Sequence, residues 1–544
     1  MTTQALHPTR IAQRLEQLTE VAVELGSCAD VGALLERILR VAKGMTLADG
    51  ATLYRPAADR TSLVFSISIN DSLGLYQGGA SGQPIELPDI PLFEEGGTPT
   101  LSAVAAFAAN CNQSVNIADV YQADVFNFSA VRAFDAAFAY RTRSILTVPM
   151  ADHDGELVGV LQLVNAVDAD SGDAIAFSDT DQRFIEALAA QAAVAITRQQ
   201  LVLQLEELLE SVVNLINLGL DEKSPYTGRH CQLVPELTMM LAEAVHATTS
   251  GPMAQFRMSD GDRKELWLAG LLHDCGKITT PVHVVDKATK LETIYDRIHM
   301  IDQRFEVLLR DAEIEALRAQ LAGADPATVE ARLAATQAAL REERAFLRHA
   351  NVGSEGMSAA DQERVRTIAR RRWTGPDGAE RDFLSEEEVE NLTIRFGTLS
   401  EAERKIINNH IAVSIRMLES LPWPKHLKNV PEYAGGHHER MDGKGYPRGL
   451  TREQMSVQAR VMAIADIFEA LTARDRPYKK GKMLSESLRI LGNFALNGHI
   501  DPDLFDIFIR SRVYLDFAHR NMDPRQIDAI DEAKIPGYRP QAHG

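Results

Sequence analysis

The chain has 544 residues, 45% apolar and 24% charged, which excludes wholesale disorder and, since single cores stop growing near about 250–300 residues, implies two or three domains. Its 57 Lys and Arg against 76 Asp and Glu leave a formal charge of -19, which argues against a nucleic-acid polymer as partner but leaves room for a small phosphate ester held by local cations. Cys28, Cys111, Cys231 and Cys275 show neither a disulfide framework nor a CxxC zinc spacing, and no apolar run approaches the roughly 18–20 residues of a membrane span, so a cytoplasmic protein is expected.

The segment from Ile11 to Ala42 repeats Leu, Val and Ile at helical spacing. Short β-type runs follow at Ala51 to Tyr54, Ser62 to Ile69, Ser144 to Pro149 and Leu157 to Val164, the last two joined by the polar turn ADHDGE as in a hairpin. An α+β domain is the expectation.

The stretches YRTRSILTVPMADHDGELVGVLQLVNA, from Tyr140 to Ala166, and FSDTDQRFIEALAAQAAVAI resemble a GAF domain, a small-molecule sensor module, over about residues 19–199. Asn165, Phe177 and Asp181 are similar to the signature of cyclic-nucleotide-binding members, although Ala166 stands where those carry lysine. The alternative is a turn asparagine and a core phenylalanine.

From Asp179 to Leu220 no proline or glycine occurs before Gly219, which predicts one long helix whose part at residues 200–220 connects two domains. Val202, Leu205, Leu209, Val212 and Ile216 alternate steps of three and four, the seam of a short parallel coiled coil and hence of a homodimer. Burial of this stripe on its own chain is the alternative.

The remainder reads as helical, with a charged insertion at about 290–400. Within it, two helices flanking the sequence GADP predict an antiparallel hairpin, and RRRWTGPDGAERD reads as a solvated loop. Set between segments that carry metal-type side chains, such a hairpin could form a lid.

Chemistry concentrates outside the insertion. HDCGK, from His273 to Lys277, follows the apolar run LWLAGLL and puts an imidazole and a carboxylate together at the edge of a core. PEYAGGHHERMDGKGYPRGL adds His437 and His438, and VMAIADIFEALTARDRPYKK adds Asp466 and Arg476. Imidazole nitrogen mixed with carboxylate oxygen suits Fe, Mn or Zn.

These motifs, HDxGK and HHExxDGxGYP with a later Asp ahead of ALT and RPY, resemble the HD-GYP family over about residues 212–525, with the domain itself taken as 221–525. The resemblance implies an all-helical HD fold, two divalent cations, Fe or Mn, and hydrolysis of cyclic di-GMP to pGpG or GMP. It implies as ligands His230, His273, Asp274, His410, His437, His438 and Asp466, with His299 the competitor of His410. Tyr226 occupies the position of a third-metal glutamate, which leaves a two-metal site, and Asp221 and Glu222 read as surface or capping residues.

Asp274, with two oxygens, is the expected bridge, and paired cations can activate water and stabilise phosphoryl charge. Lys277 could neutralise phosphate or protonate the leaving 3′ oxygen, or simply favour a helix C-terminus. By resemblance Arg476 and Lys479 bind phosphate, while Gly445, Tyr446 and Pro447 shape the substrate mouth or a docking surface for a partner such as a diguanylate cyclase. Cys275 is expected to pack as a small hydrophobe. Two other functions stay open: a receptor that holds the dinucleotide without turnover, and an HD phosphohydrolase acting on another nucleotide.

Overall fold

The computed structural model describes residues 30–353, 356–473 and 481–538, with the backbone alone at 225–228. Contacts divide the chain into two compact units, Met1–Leu209 and Glu210–Gly544.

The first unit is α+β. Helix α1 (Val31–Thr46) starts where the Asp30 carboxylate accepts from the amides of Gly32 and Ala33, a cap worth about 1 kcal/mol. Strands β1 (Ala48–Pro56), β2 (Ser62–Asn70), β3 (Leu75–Gly78), β4 (Ile90–Pro91), β5 (Val115–Ile117), β6 (Ile145–Ala151), β7 (Leu157–Val167) and β8 (Ala174–Ile175) form one antiparallel sheet. Its main order is β3-β2-β1-β7-β6-β5, with β4 on β2 and β8 on β7. The four β-type runs read from the sequence are β1, β2, β6 and β7, and ADHDGE is the β6–β7 turn, with Gly155 at φ +82.

Alternation sends neighbouring side chains to opposite faces. On one face Leu53, Leu146, Val148, Leu161 and Leu163 pack with Leu35, Ile38 and Leu39 of α1 and with Ile185, Leu188 and Ala192 of the helix that leaves the domain. On the other face Tyr54, Leu63 and Val160 meet Ala105, Ala106 and Ala108 of α2 (Val104–Cys111). A further helix, α3 (Ser129–Phe138), precedes β6. Of the helical segment expected from Ile11 to Ala42, the part before residue 30 lies outside the described residues.

Asn165, Phe177 and Asp181 each have a structural task. Asn165 sits at φ +55, and its side-chain oxygen accepts from Arg143 N at 2.7 Å and Ser144 N at 3.2 Å. Its amide donates to Tyr140 Oη and Arg141 O, both at 2.9 Å. Phe177 lies in the core, and Asp181 caps a helix by accepting from Ser178 N and Oγ.

Helix α4 (Asp179–Lys223) is continuous over 45 residues. Its outward stripe is Leu201, Leu205, Leu208, Val212 and Leu215, all exposed and alternating steps of four and three. Of the stripe expected from the sequence, Val202, Leu205 and Val212 are exposed, while Leu209 and Ile216 are partly covered.

Helices of the second unit run in order α5 (Pro225–His246), α6 (Asp260–Leu272), α7 (Val282–Val285), α8 (Ile298–Leu321), α9 (Pro326–Asn351), α10 (Ala359–Ala369), α11 (Glu386–Leu392), α12 (Glu401–Asn408), α13 (His410–Glu419), α14 (Val430–Gly435), α15 (Val457–Thr472), α16 (Leu484–Leu496), α17 (Pro502–Arg510) and α18 (Val513–Asn521). Pro225 at the start of α5 separates it from α4, since proline lacks the amide that would continue the ladder. A Ser259–Asp262 capping box starts α6. Helix α5 packs on α6 and α15, and α14 packs on α6 and α13.

The insertion has its own core: Ile301, Phe305, Leu309, Leu340, Leu347, Ile368, Phe383 and Leu392 form one buried cluster. Helices α8 and α9 make the antiparallel hairpin expected around GADP, tied by Asp302 accepting from Arg344 and Arg348. RRRWTGPDGAERD, read as a solvated loop, is largely exposed but forms a β-hairpin, with β9 (Arg372–Thr374) pairing β10 (Glu380–Asp382). The turn residues Pro376, Asp377 and Gly378 close it, with Gly378 at φ +78, and the Arg304 guanidinium lies 5.6 Å from the Trp373 ring. At its base, buried Lys287 bonds both Glu403 carboxylate oxygens at 2.8 Å and Asn391 Oδ1 at 3.0 Å.

Candidate metal centre

Four helix junctions converge here. His230 comes from the first turns of α5, His273 and Asp274 follow α6, His410 opens α13, His437 and His438 follow α14, and Asp466 lies on α15. All seven expected ligands are brought together, and His299, the competitor of His410, is exposed on α8.

Asp274 stands between two sets of donors. Its Oδ2 lies 3.3 Å from His230 Nε2 and 3.2 Å from His273 Nε2, and its Oδ1 lies 3.1 Å from His410 Nε2. Asp466 Oδ1 completes the first set at 3.1 Å from His230 Nε2 and 3.9 Å from His273 Nε2. In the second, His438 Nε2 is 3.3 Å from His410 Nε2, and His437 offers a third nitrogen.

Three of the histidines are oriented alike. His273, His410 and His437 bond through Nδ1 to the carbonyls of Gly270, Ile407 and Ala434, three residues earlier, at 2.7, 2.5 and 2.6 Å. Each carbonyl sits in the last turn of a helix, where the regular ladder of amides runs out. The bond puts the proton on Nδ1 and leaves Nε2 as the free donor. His230 does the same with Glu469 Oε2, at 2.5 Å. Sequence reasoning missed Glu469. Its signal was there: an acid three residues after Asp466, on the same face of an apolar helix.

Close approach makes the junctions. A Cβ on Gly276 would fall 2.0 Å from His410 O and 2.6 Å from Ser414 N, so only glycine lets the HDCGK turn lie against α13 and bring Asp274 to His410. Gly276 N also donates to Ser414 Oγ at 2.8 Å. Cys275 packs there as a buried apolar side chain, its thiol pushed up to about 11 by burial.

Burial opposes charge on Asp274, yet the Lys277 ammonium and the histidines outweigh it and hold the carboxyl well below its usual range. Lys277 Nζ lies 2.6 Å from Asp274 Oδ2, and burial's pull on that ammonium is more than reversed by the carboxylate. Burial, with the charge of His273, pushes His437 down to about 4, and burial beside His437 lowers His438 well below the usual imidazole. Against the effect of burial, the Glu469 carboxylate, with Asp274 and Asp466, holds His230 well above the usual imidazole, so this residue gives up a proton to ligate; neutral imidazoles and ionised carboxylates are what a divalent cation needs.

Of the eight buried side-chain atoms without a hydrogen-bond partner among the described residues, two belong to these donor sets, Asp274 Oδ1 and His437 Nε2. Unpaired buried polar atoms are costly, and a bound cation would satisfy both. The residues therefore fit a metal site.

Tyr446 stacks on His438, ring centroids 4.8 Å apart and planes 23° apart. Glu439, buried, accepts from Arg448 N at 2.7 Å and Leu450 N at 2.9 Å and so fixes the Gly445, Tyr446, Pro447 turn. A Cβ on Gly445 would fall 2.4 Å from Arg440 N, so the turn closes only with glycine. Beside His230 and Glu469 opens a small cleft, lined also by Arg229, Thr472, Asn521 and Gln526. Arg476 and Lys479 lie outside the described residues, as does the side chain of Tyr226. Asp221 is half-buried, burial raising its carboxyl, and it joins none of the donor sets.

Residues 30–196 match the GAF domain family, and residues 227–337 and 387–504 each match an HD domain family. The first HD match carries His230, His273 and Asp274, the second the other four ligand candidates. A cyclic di-GMP phosphodiesterase of Pseudomonas aeruginosa is 39% identical over 115 residues, 21% of this chain and 27% of that protein. A 3'3'-cGAMP-specific phosphodiesterase of Vibrio cholerae is 37% identical over 122 residues, 22% of this chain and 27% of that protein. A cyclic di-GMP phosphodiesterase of Thermotoga maritima is 34% identical over 122 residues, 22% of this chain and 32% of that protein. The chain thus spans about a third or less of the length of these curated relatives. Among solved structures, a GAF domain/HD domain protein from Geobacter sulfurreducens is 20% identical, with 32% of this chain and 98% of that one covered, at a TM-score of 0.24. No helix among the described residues is long and apolar enough to cross a membrane.

Proposed function

The chain joins a GAF domain to an HD domain, and we propose that it is a metal-dependent phosphodiesterase opening cyclic di-GMP to pGpG or on to GMP, governed by a small ligand of the GAF domain. The observation that carries this reading is Asp274, a buried carboxylate with one oxygen toward His230 and His273 and the other toward His410. Such an arrangement suits two divalent cations, and Fe or Mn match its nitrogen and oxygen donors. Bound there, the pair supplies a water-derived nucleophile at neutral pH and charge stabilisation for phosphoryl oxygens.

The chain's own groups do the rest. Water gives up a proton as its oxygen bonds to phosphorus, the bond from phosphorus to the 3′ oxygen breaks, and that oxygen takes up a proton, so that one water is added overall. Lys277, part-exposed beside Asp274, is placed to neutralise a phosphoryl oxygen or to give that proton. His230, His273, His410, His437 and His438 are held by their Nδ1 bonds or their packing, so the site needs little reorganisation. Tyr446, with Gly445 and Pro447, is proposed to form a wall of the substrate mouth or a docking face for a partner such as a diguanylate cyclase. Arg476 and Lys479 are proposed to hold phosphate.

The proposed limits are 19–199 for the sensor, 200–220 for the connecting helix and 221–525 for the hydrolase. The proposed assembly is a parallel homodimer through α4, working in the cytoplasm. Relatives of similar identity act on 3'3'-cGAMP, so a substrate with one adenine is the second reading.

The test is anaerobic hydrolysis with iron- or manganese-loaded protein, offering cyclic di-GMP and 3'3'-cGAMP in parallel and separating the products. Metal-dependent product that vanishes in His273→Ala/Asp274→Ala supports the enzyme, and the relative rates choose the substrate. Intact nucleotide from protein shown to carry two metals would point to a receptor.

A further inference from the structure

The last residue of α4 reaches the turn that carries the metal-type side chains. Lys223 Nζ donates to the carbonyl of Lys277 at 3.1 Å and to that of Ile278. Both carbonyls belong to the single 3₁₀ turn Cys275–Thr279. Its final carbonyls form the negative end of the turn, where an ammonium is favoured. The next residue, Ser224, is buried and donates through Oγ to Asp286 Oδ1 at 2.7 Å, fastening the same junction to the residue after α7. On its other side the turn is pinned to α13 by Gly276 N on Ser414 Oγ.

Lys277 is therefore held at both ends. Its side chain bonds Asp274 Oδ2 at 2.6 Å, and its carbonyl is gripped by Lys223. We infer that Lys223 is a positioning residue: it fixes the main chain of Lys277, and through it the Lys277 ammonium against Asp274, so that the end of the connecting helix sets the geometry of the metal-bearing turn. A shift or rotation of α4 at Lys223 moves the carbonyls of Lys277 and Ile278 first, with no need to disturb His273, His410 and His437, which are anchored on their own helix ends. In its kinetic part this inference rests on the phosphodiesterase reading.

The experiment compares the full chain, loaded with manganese, as wild type, Lys223→Met and Lys223→Arg. It records metal per chain, amide hydrogen exchange of Cys275–Thr279, and kcat and KM for cyclic di-GMP. Lys223→Met is expected to keep its metal, to speed exchange in that turn about tenfold and to lower kcat about tenfold with KM within about twofold. Lys223→Arg, which keeps the cation, is expected to return both to within about threefold of wild type. Wild-type exchange in Lys223→Met, or loss of metal and cooperative unfolding in both variants alike, would overturn the inference. If the wild type does not hydrolyse cyclic di-GMP, the exchange measurement still decides: acceleration confined to the turn supports the latch.

Discussion

Glu469 accepts a hydrogen bond from Nδ1 of His230 at 2.5 Å, and both side chains are buried. The carboxylate fixes which nitrogen of His230 faces Asp274 and Asp466 and makes that nitrogen a stronger donor. Glu469→Gln keeps a bond but loses the charge; Glu469→Ala loses both. Metal affinity is expected to fall about 10-fold to 100-fold in Glu469→Ala, and less in Glu469→Gln. Competition with a chelator of known affinity measures this, and equal affinity in all three proteins would show that His230 needs no orienting partner.

Gly276 tests how closely the HDCGK turn must lie against α13. In Gly276→Ala the new methyl meets His410 O and Ser414 N, both main-chain atoms that cannot swing away. The cost is expected at about 1–3 kcal/mol, as for overpacked sites, with weakened metal binding as His410 moves. Gly261→Ala in the first turn of α6, whose nearest neighbour is Ser259 Oγ at 3.7 Å, is the control and should be close to neutral. Urea denaturation of both variants gives the answer; matching midpoints would mean the junction relaxes freely.

Lys290 gives the insertion a pH signature. Buried with its Nζ on Leu392 O at 3.2 Å, it is pushed down to about 8 by burial. In the unfolded chain a lysine titrates near about 10.4. Below the folded value both states carry the ammonium and the folded state bears the cost of burying it. Between the two values the unfolded chain binds more protons, so stability rises with pH, and above both the cost is gone. Lys290→Met should therefore gain on the parent most at about pH 7 and progressively less up to about pH 10.5. Denaturation of the two proteins across that range tests the trend, and a difference independent of pH would exclude it.

The stripe on α4 carries the dimer proposal. Leu205 and Leu215 are 65% and 67% exposed, and Leu201, Leu208 and Val212 complete a seam at coiled-coil spacing. So much exposed leucine on one helix face needs cover. Leu208→Glu/Leu215→Glu is expected to convert a dimer to a monomer in light scattering while leaving each unit folded. A wild-type monomer at high concentration would remove the proposal.

The sequence by itself determined the division of labour. The β-type runs at residues 51–54, 62–69, 144–149 and 157–164, with the polar turn that joins the last two, specify half of the sheet, because a strand face and its hairpin are local matters. HDCGK, HHERMDGKGYP and the aspartate in ADIFEALT show together where metal-type side chains gather, while His230 and His410 are picked out only by the family resemblance. Only the tertiary structure decided what those donors do together. That Asp274 turns one oxygen to each set, that Glu469 orients His230, and that Lys223 grips Lys277 are contacts between residues 54 to 239 positions apart or between side chains whose direction the sequence leaves free. The same holds for Asn165, whose motif fits a ligand contact but whose left-handed backbone and four hydrogen bonds make it a sheet brace. RRRWTGPDGAERD reads as a loop for a related reason: exposed strands this short carry no apolar alternation, and their pairing is set by the turn and by Trp373. Local pattern fixes what each segment is, while burial, orphaned polar atoms and close backbone approach depend on which segments meet.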